Sequence, residues 1–218
     1  MSRLLLVIIG ILSMGAVVVE ADELEALTFA IGGGVSAPLN PTARYVGTSG
    51  NFVTGVGVNM NKHSSLEGDF MWSGLPPNLF VIHPVLAPTG HMNLFALSAN
   101  YRYHVDRIRG SLLGAYLIGG GGWYYRHFTV DKNFIVPPAT PCLPIYMWWG
   151  YGCDAGFVYT ATVASKGNSA GGLNAGVGFT IRLGDKGWKF YTESRYTYAW
   201  SNRIPTTLIP VTFGLRFN

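Results

Sequence analysis

The chain has 218 residues, of which 49% are hydrophobic, 14% aromatic and only 12% charged, with 29 glycines and a formal net charge of +4. This is too apolar for a disordered chain and low in charge for a water-soluble domain. Its basic residues are scattered over predicted strands and turns, which argues against a nucleic-acid partner.

Arg3, the apolar run from Leu4 to Val19 and the ending Val19-Glu20-Ala21 are the three parts of a secretory signal peptide. The run is short of the ~20 residues a spanning helix needs, so cleavage before Asp22 is expected, with one domain over 22–218. Arg3 and Glu20 leave together and the balance stays at +4. No later stretch is an uninterrupted apolar helix candidate. A mature chain embedded in a membrane would therefore have to be a closed barrel, since only then is every backbone polar group paired.

The elements alternate with period 2. Leu27 to Ser36 sets Leu27, Phe29, Ile31 and Val35 against small or polar partners, and Pro38 and Pro41 end it. Phe52, Thr54, Val56, Val58 and Met60 form the greasy side of a second strand, and a short link at Asn61 to Ser64 leads to a third. That third strand places Leu66, Phe70 and Trp72 on one side and Glu67 and Asp69 on the other. Gly74 to Gly90, with four prolines, reads as a loop. In the fourth strand Phe95, Leu97, Ala99, Tyr101 and Tyr103 oppose Ala96, Ser98, Asn100, Arg102 and His104. Asp106 to Gly110 is a tight turn. Leu112 to Phe128 is a long fifth strand with odd positions outward, in which Gly119 to Gly122 could house a parity-changing bulge.

Asp131 to Ser169 reads as the longest connection. It holds Cys142 and Cys153, with Tyr146, Trp148, Trp149 and Tyr151 between them. In an exported chain two cysteines this close favour a loop-closing disulfide. The aromatic cluster fits either a surface contact site for a glycan, lipid headgroup or protein, or rings packed at the barrel mouth and lipid interface. The sixth strand runs from Leu173 to Arg182, and Gly184-Asp185-Lys186-Gly187 turns the chain into a seventh from Trp188 to Tyr198. The last strand carries Ile209, Val211, Phe213, Leu215 and Phe217 on one face and Pro210, Thr212, Gly214 and Arg216 on the other. Eight strands result, and short and long connections alternate strictly, as in an up-and-down antiparallel transmembrane barrel with turns at one end and loops at the other.

The Gly-Gly-Gly of the first strand, Tyr191-Thr192-Glu193-Ser194-Arg195-Tyr196 and the closing Ile209 to Phe217 resemble the small eight-stranded outer-membrane β-barrel family of OmpA-type transmembrane domains and opacity-type proteins. The resemblance covers 22–218. It implies an outer-membrane location, outer-membrane lipid and the barrel-assembly machinery as partners, and Phe217 as the aromatic assembly signal. A monomer is expected.

Candidate chemistry is sparse. Gly167-Asn168-Ser169-Ala170-Gly171 has the spelling of a nucleophile elbow, but no helix follows it. Gly32 to Ala37 spells a dinucleotide motif that should open a helix and instead meets Pro38. The five histidines lack metal-site spacing, so neither a metal nor a cofactor is expected. The inward faces collect Glu67, Asp69, Arg102, Arg182, Lys189, Glu193, Arg195 and Arg216. In an eight-stranded barrel these should fill the lumen as paired charges, the alternative being a narrow ion path. The expected function is non-enzymatic: anchoring in the envelope and presenting loops. The alternative is a lipid A-modifying or small-solute-binding or conducting barrel, which a serine within reach of His127 or a ligand-sized cavity would favour.

Overall fold

The computed structural model describes residues 27–61, 63–78, 89–105, 112–136, 144–147, 150–153, 157–184, 187–201 and 203–217. The proposed signal peptide lies outside the described residues. Among the described residues there are ten strands: β1 (Leu27–Pro38), β2 (Ser49–Asn59), β3 (Ser64–Leu75), β4 (Thr89–His104), β5 (Leu113–Val136), β6 (Pro144–Met147), β7 (Gly150–Cys153), β8 (Phe157–Arg182), β9 (Trp188–Ala199) and β10 (Thr206–Phe217). Eight of them close an antiparallel barrel in the order β1-β2-β3-β4-β5-β8-β9-β10, while β6 and β7 form a separate hairpin. The seam runs from Phe29 opposite Phe217 to Pro38 opposite Leu208.

Period-2 patterning fixes which side faces out, because a one-residue slip would turn every side chain over. Phe29, Ile31, Val56, Leu66, Leu97, Leu117, Val177 and Phe213 all point outward and are exposed, whereas Glu67, Asp69, Arg102, Glu193 and Arg216 are buried. A water-soluble barrel would be the reverse. An apolar exterior around a charged interior is the arrangement of a barrel solvated by lipid. Rings flank the apolar band: Tyr101, Tyr103, Trp188 and Phe217 near the tight turns, and Trp72, Phe95, Trp123 and Tyr125 towards the loops. On β4 the eight steps from Tyr103 to Phe95 give a band of about 21 Å for a ~40° tilt, close to the ~25 Å of known barrels.

In β5 the odd-outward reading holds: Tyr116, Ile118 and Tyr124 are buried, and Leu113, Leu117 and Trp123 are exposed. The glycines keep strict register with β4 and β8, and the irregularity expected among them falls at Val130/Asp131. Two loop boundaries also shift. β4 begins at Thr89, inside the segment read as a proline-rich loop, and much of Asp131 to Ser169 is strand. Thr160, Thr162, Ser165 and their neighbours lack an apolar alternation, yet their backbones pair with β5 all the way to Val136 opposite Phe157. β5 and β8 thus span 24 and 26 residues, where a crossing needs roughly 9–11. The surplus rises beyond the loop end of the barrel as a two-stranded wall. Gly167 to Gly171 lies within this strand and forms no elbow.

Beneath the loop end the lumen is apolar. Leu75, Leu94, Ala96, Tyr124, Ala199 and Leu208 cluster there with Val46 from the β1–β2 connection. A single 3-10 turn at Thr42–Arg44 covers them; Thr42 Oγ1 donates to the Pro205 carbonyl at 3.0 Å and accepts from the Thr207 amide at 2.9 Å. Pro210 interrupts the β9–β10 ladder, whose pairs pass from Leu208↔Thr197 to Val211↔Ser194. Proline has no N–H to offer there.

Candidate functional site: a charged lumen and an open mouth

Six of the predicted lumen residues meet inside the barrel. β3 supplies Glu67 and Asp69, β4 Arg102, β9 Glu193 and Arg195, and β10 Arg216, each an inward position of its strand. Arg102 pairs with Glu67 and stands 3.8 Å from Glu193, while Arg195 bridges Glu193 and Asp69, the latter at 2.7 Å. Arg216 lies 3.6 Å from Glu67. Three carboxylates therefore balance three guanidinium groups. Buried charge survives only where it is paired and its remaining hydrogen-bonding capacity is used, and this set satisfies much of that demand with neutral neighbours. Tyr116 donates to Glu193 at 2.7 Å, and Asn100 donates to Asp69 at 2.8 Å.

Aromatic faces carry part of the cationic load. Arg102 sits 4.7 Å above the Tyr116 ring and Arg216 4.6 Å above that of Tyr191. The inward glycines make room for these rings: a Cβ at Gly178 would collide with Tyr116, and one at Gly32 or Gly214 with Tyr191. Neither tyrosine stands out in the sequence as a lumen residue. Tyr191 lies on a charged face and Tyr116 shortly before the Gly119–Gly122 run, so the available signal is a large ring on an inward position next to a glycine-rich neighbour.

Arg182 does not join the network. It has inward parity but lies exposed at the turn end of β8, opposite Lys189, where the barrel has already opened to solvent. Lys189 lines a small cavity at that end together with Arg102, His104 and Arg216. That cavity and a second beside Asp69, Tyr124 and Arg195 measure about 20 Å³ each, room for a single water.

The outer wall holds a pair that the sequence did not reveal. Ser165 Oγ on β8 lies 3.0 Å from His127 Nε2 on β5, both on the outward face beyond the aromatic belt. The separation of 38 positions along the chain hid it, since proximity comes from cross-strand register. No acid completes a triad among the described residues: Asp131 accepts from Thr162 at 2.7 Å and faces His91 at 3.8 Å. His91 lies on β4, and His83 is outside the described residues.

The cysteine and aromatic segment is partly visible. Tyr146 pairs with Tyr151 across the β6–β7 hairpin, and Cys153 lies opposite Pro144. Cys142, Trp148 and Trp149 fall outside the described residues, as does the expected disulfide. Phe217 packs edge-on against Trp188, centroids 4.4 Å apart, in the turn-end girdle.

No family model and no curated protein matches the sequence. Solved structures do share its shape. A major outer membrane protein from Thermus thermophilus is 8% identical, with 88% of this chain and 99% of that one covered at a TM-score of 0.55. Neisserial surface protein A is 12% identical over 88% and 96% at 0.53. The chain has the fold of the small eight-stranded outer-membrane barrels. In this barrel the paired charges of the lumen and the raised β5–β8 wall are the two features that bear on function.

Proposed function

We propose that this is a non-enzymatic, non-conducting outer-membrane barrel, a monomer that anchors in the envelope and carries its long hairpin outside. The neutral six-residue charge network carries the reading, because it leaves space for isolated waters and no continuous path. The shared fold of known outer-membrane barrels supports the location, and loops gathered at one end support an outward-facing surface. Reconstituted into planar bilayers, the purified protein should show no stepwise conductance; regular ohmic steps would overturn the closed-lumen reading. Deleting Leu143 to Gly152 should leave a folded, heat-modifiable barrel that no longer binds surface glycan, lipid headgroup or protein, since Tyr146 and Tyr151 belong to a hairpin separate from the barrel sheet.

One observation favours a second reading. A serine hydroxyl bonded to an imidazole above the aromatic belt could attack the ester carbonyl of a lipid in the outer leaflet, the histidine taking the serine proton and passing it to the departing alcohol oxygen as the ester C–O bond breaks, and water then hydrolysing the acyl-serine to fatty acid. Release of fatty acid from envelope lipid by the wild type, abolished by Ser165→Ala, would establish this activity. Equal, background release from both would leave Ser165 and His127 as a structural cross-strand pair.

A further inference from the structure

At the loop end, the wall and the rim enclose a cleft of about 610 Å³. It arises because β8 loses its partner: the last β8–β9 pair is Gly172↔Ala199, and the last β9–β10 pair Thr206↔Ala199, while β5 and β8 continue upward together. The inner face of that wall contributes Arg126 and Phe128 from β5 and Lys166 and Asn168 from β8. The β9–β10 connection forms the floor with Trp200, Ser201 and Arg203.

The electrostatics of this cleft are the opposite of the lumen's. Arg126, Lys166 and Arg203 line it, and among the described residues none that lines it is acidic. Arg126 is half-buried and locked by neutral partners: it donates to Thr206 Oγ1 at 2.9 Å, to Ser201 Oγ at 3.0 Å and to the Ile204 carbonyl at 3.5 Å. Its orientation is fixed, and among the described residues no carboxylate compensates its charge. The nearest acid along β5, Asp131, is engaged with Thr162 and near His91. Lys166 and Arg203 are exposed and able to close on a ligand. Beside the three cations stand two aromatic surfaces, Trp200 and Phe128, and two neutral hydrogen-bonding side chains, Asn168 and Ser201. The volume falls within the ~300–1,000 Å³ of small-molecule sites.

We propose that this cleft binds a phosphate-bearing sugar, with phosphate on the Arg126–Lys166–Arg203 triangle and the ring against Trp200 or Phe128. Guanidinium and ammonium groups converging without a carboxylate select anions. Aromatic faces next to amide and hydroxyl groups suit a ring with one apolar face and polar edges. The phosphosugar could be free or the headgroup of a lipid. This inference is independent of the closed lumen, and it requires only that the loop end meet water.

Titration calorimetry on the full chain in uncharged detergent micelles tests it, with glucose 1,6-bisphosphate, inorganic phosphate and glucose as probes. The bisphosphate should bind at least about tenfold more tightly than inorganic phosphate, and glucose should give no heat. Its affinity should fall steeply between roughly 50 and 300 mM salt, following the screening of exposed charge. Lys166→Ser with Arg203→Ser, both exposed and outside the barrel ladder's core, should weaken bisphosphate binding at least about tenfold while heat-modifiable gel migration is unchanged. Wild type that ignores the bisphosphate, or a double variant that binds it equally, overturns the proposal. A phosphorylated glycolipid in the micelle that displaces the bisphosphate, when phosphatidylglycerol does not, assigns the lipid-borne source; no displacement by either assigns the free one.

Discussion

Glu193→Ala is expected to destabilise the folded barrel by about 3–5 kcal/mol, the usual cost of removing one partner from a buried ion pair. Glu193 is the hub of the lumen. It accepts from Arg195 and from Tyr116 and stands 3.8 Å from Arg102, so its loss leaves three guanidinium groups facing two carboxylates. The cavities beside the released charge measure only about 20 Å³ each, room for a single water. Urea unfolding in lipid vesicles, followed by the gel shift between folded and unfolded forms, measures the effect. Adding Arg195→Ala should recover part of the loss, because it restores two guanidinium groups to two carboxylates, less the cost of taking from Asp69 its partner at 2.7 Å. An unchanged unfolding midpoint in the single variant would show that the pairs do not hold the lumen closed.

The second large effect separates lipid from water as the solvent of the outer surface. Phe213 and Val163 are exposed to similar extents, 49% and 54%. Phe213 lies in the middle of β10, within the girdles, whereas Val163 lies far up β8 on the raised wall. Phe213→Arg should cost about 2–4 kcal/mol, the penalty for a cation near the bilayer midplane. Val163→Arg should stay within about 0.5 kcal/mol, as for an ordinary surface change. Equal costs in the same vesicle assay would place both positions in the same solvent and undo the membrane assignment.

Much of the architecture was legible because lipid-facing strands repeat with period 2, and Ile209 to Phe217 displays that pattern without a break. The inward charges were legible for the same reason, with Arg182 misplaced only because parity says nothing about where along a strand the barrel opens. Connectivity within the lumen was not legible. That Arg102 meets Glu67 while Arg195 meets Asp69 depends on the stagger between strands, which alternation leaves undetermined. The raised wall was hidden by composition: from Thr160 to Ser169 mostly small or polar residues are exposed on both faces, so no alternation marks a strand whose stability comes from its backbone ladder with β5. Ser165 and His127, and the cleft built by Arg126, Lys166 and Arg203, became visible only once that ladder was in place.

The seam between β1 and β10 has a consequence for how the molecule comes into being. Phe29 must find Phe217, so the ring shuts only when the final strand is available, after all other strands have been made. Until that moment any inserted subset carries two raw edges in hydrocarbon, where each unpaired backbone group costs several kcal/mol. Partial insertion is therefore not a resting place: the chain must be kept out of the bilayer, or have its edges shielded, until the last strand docks.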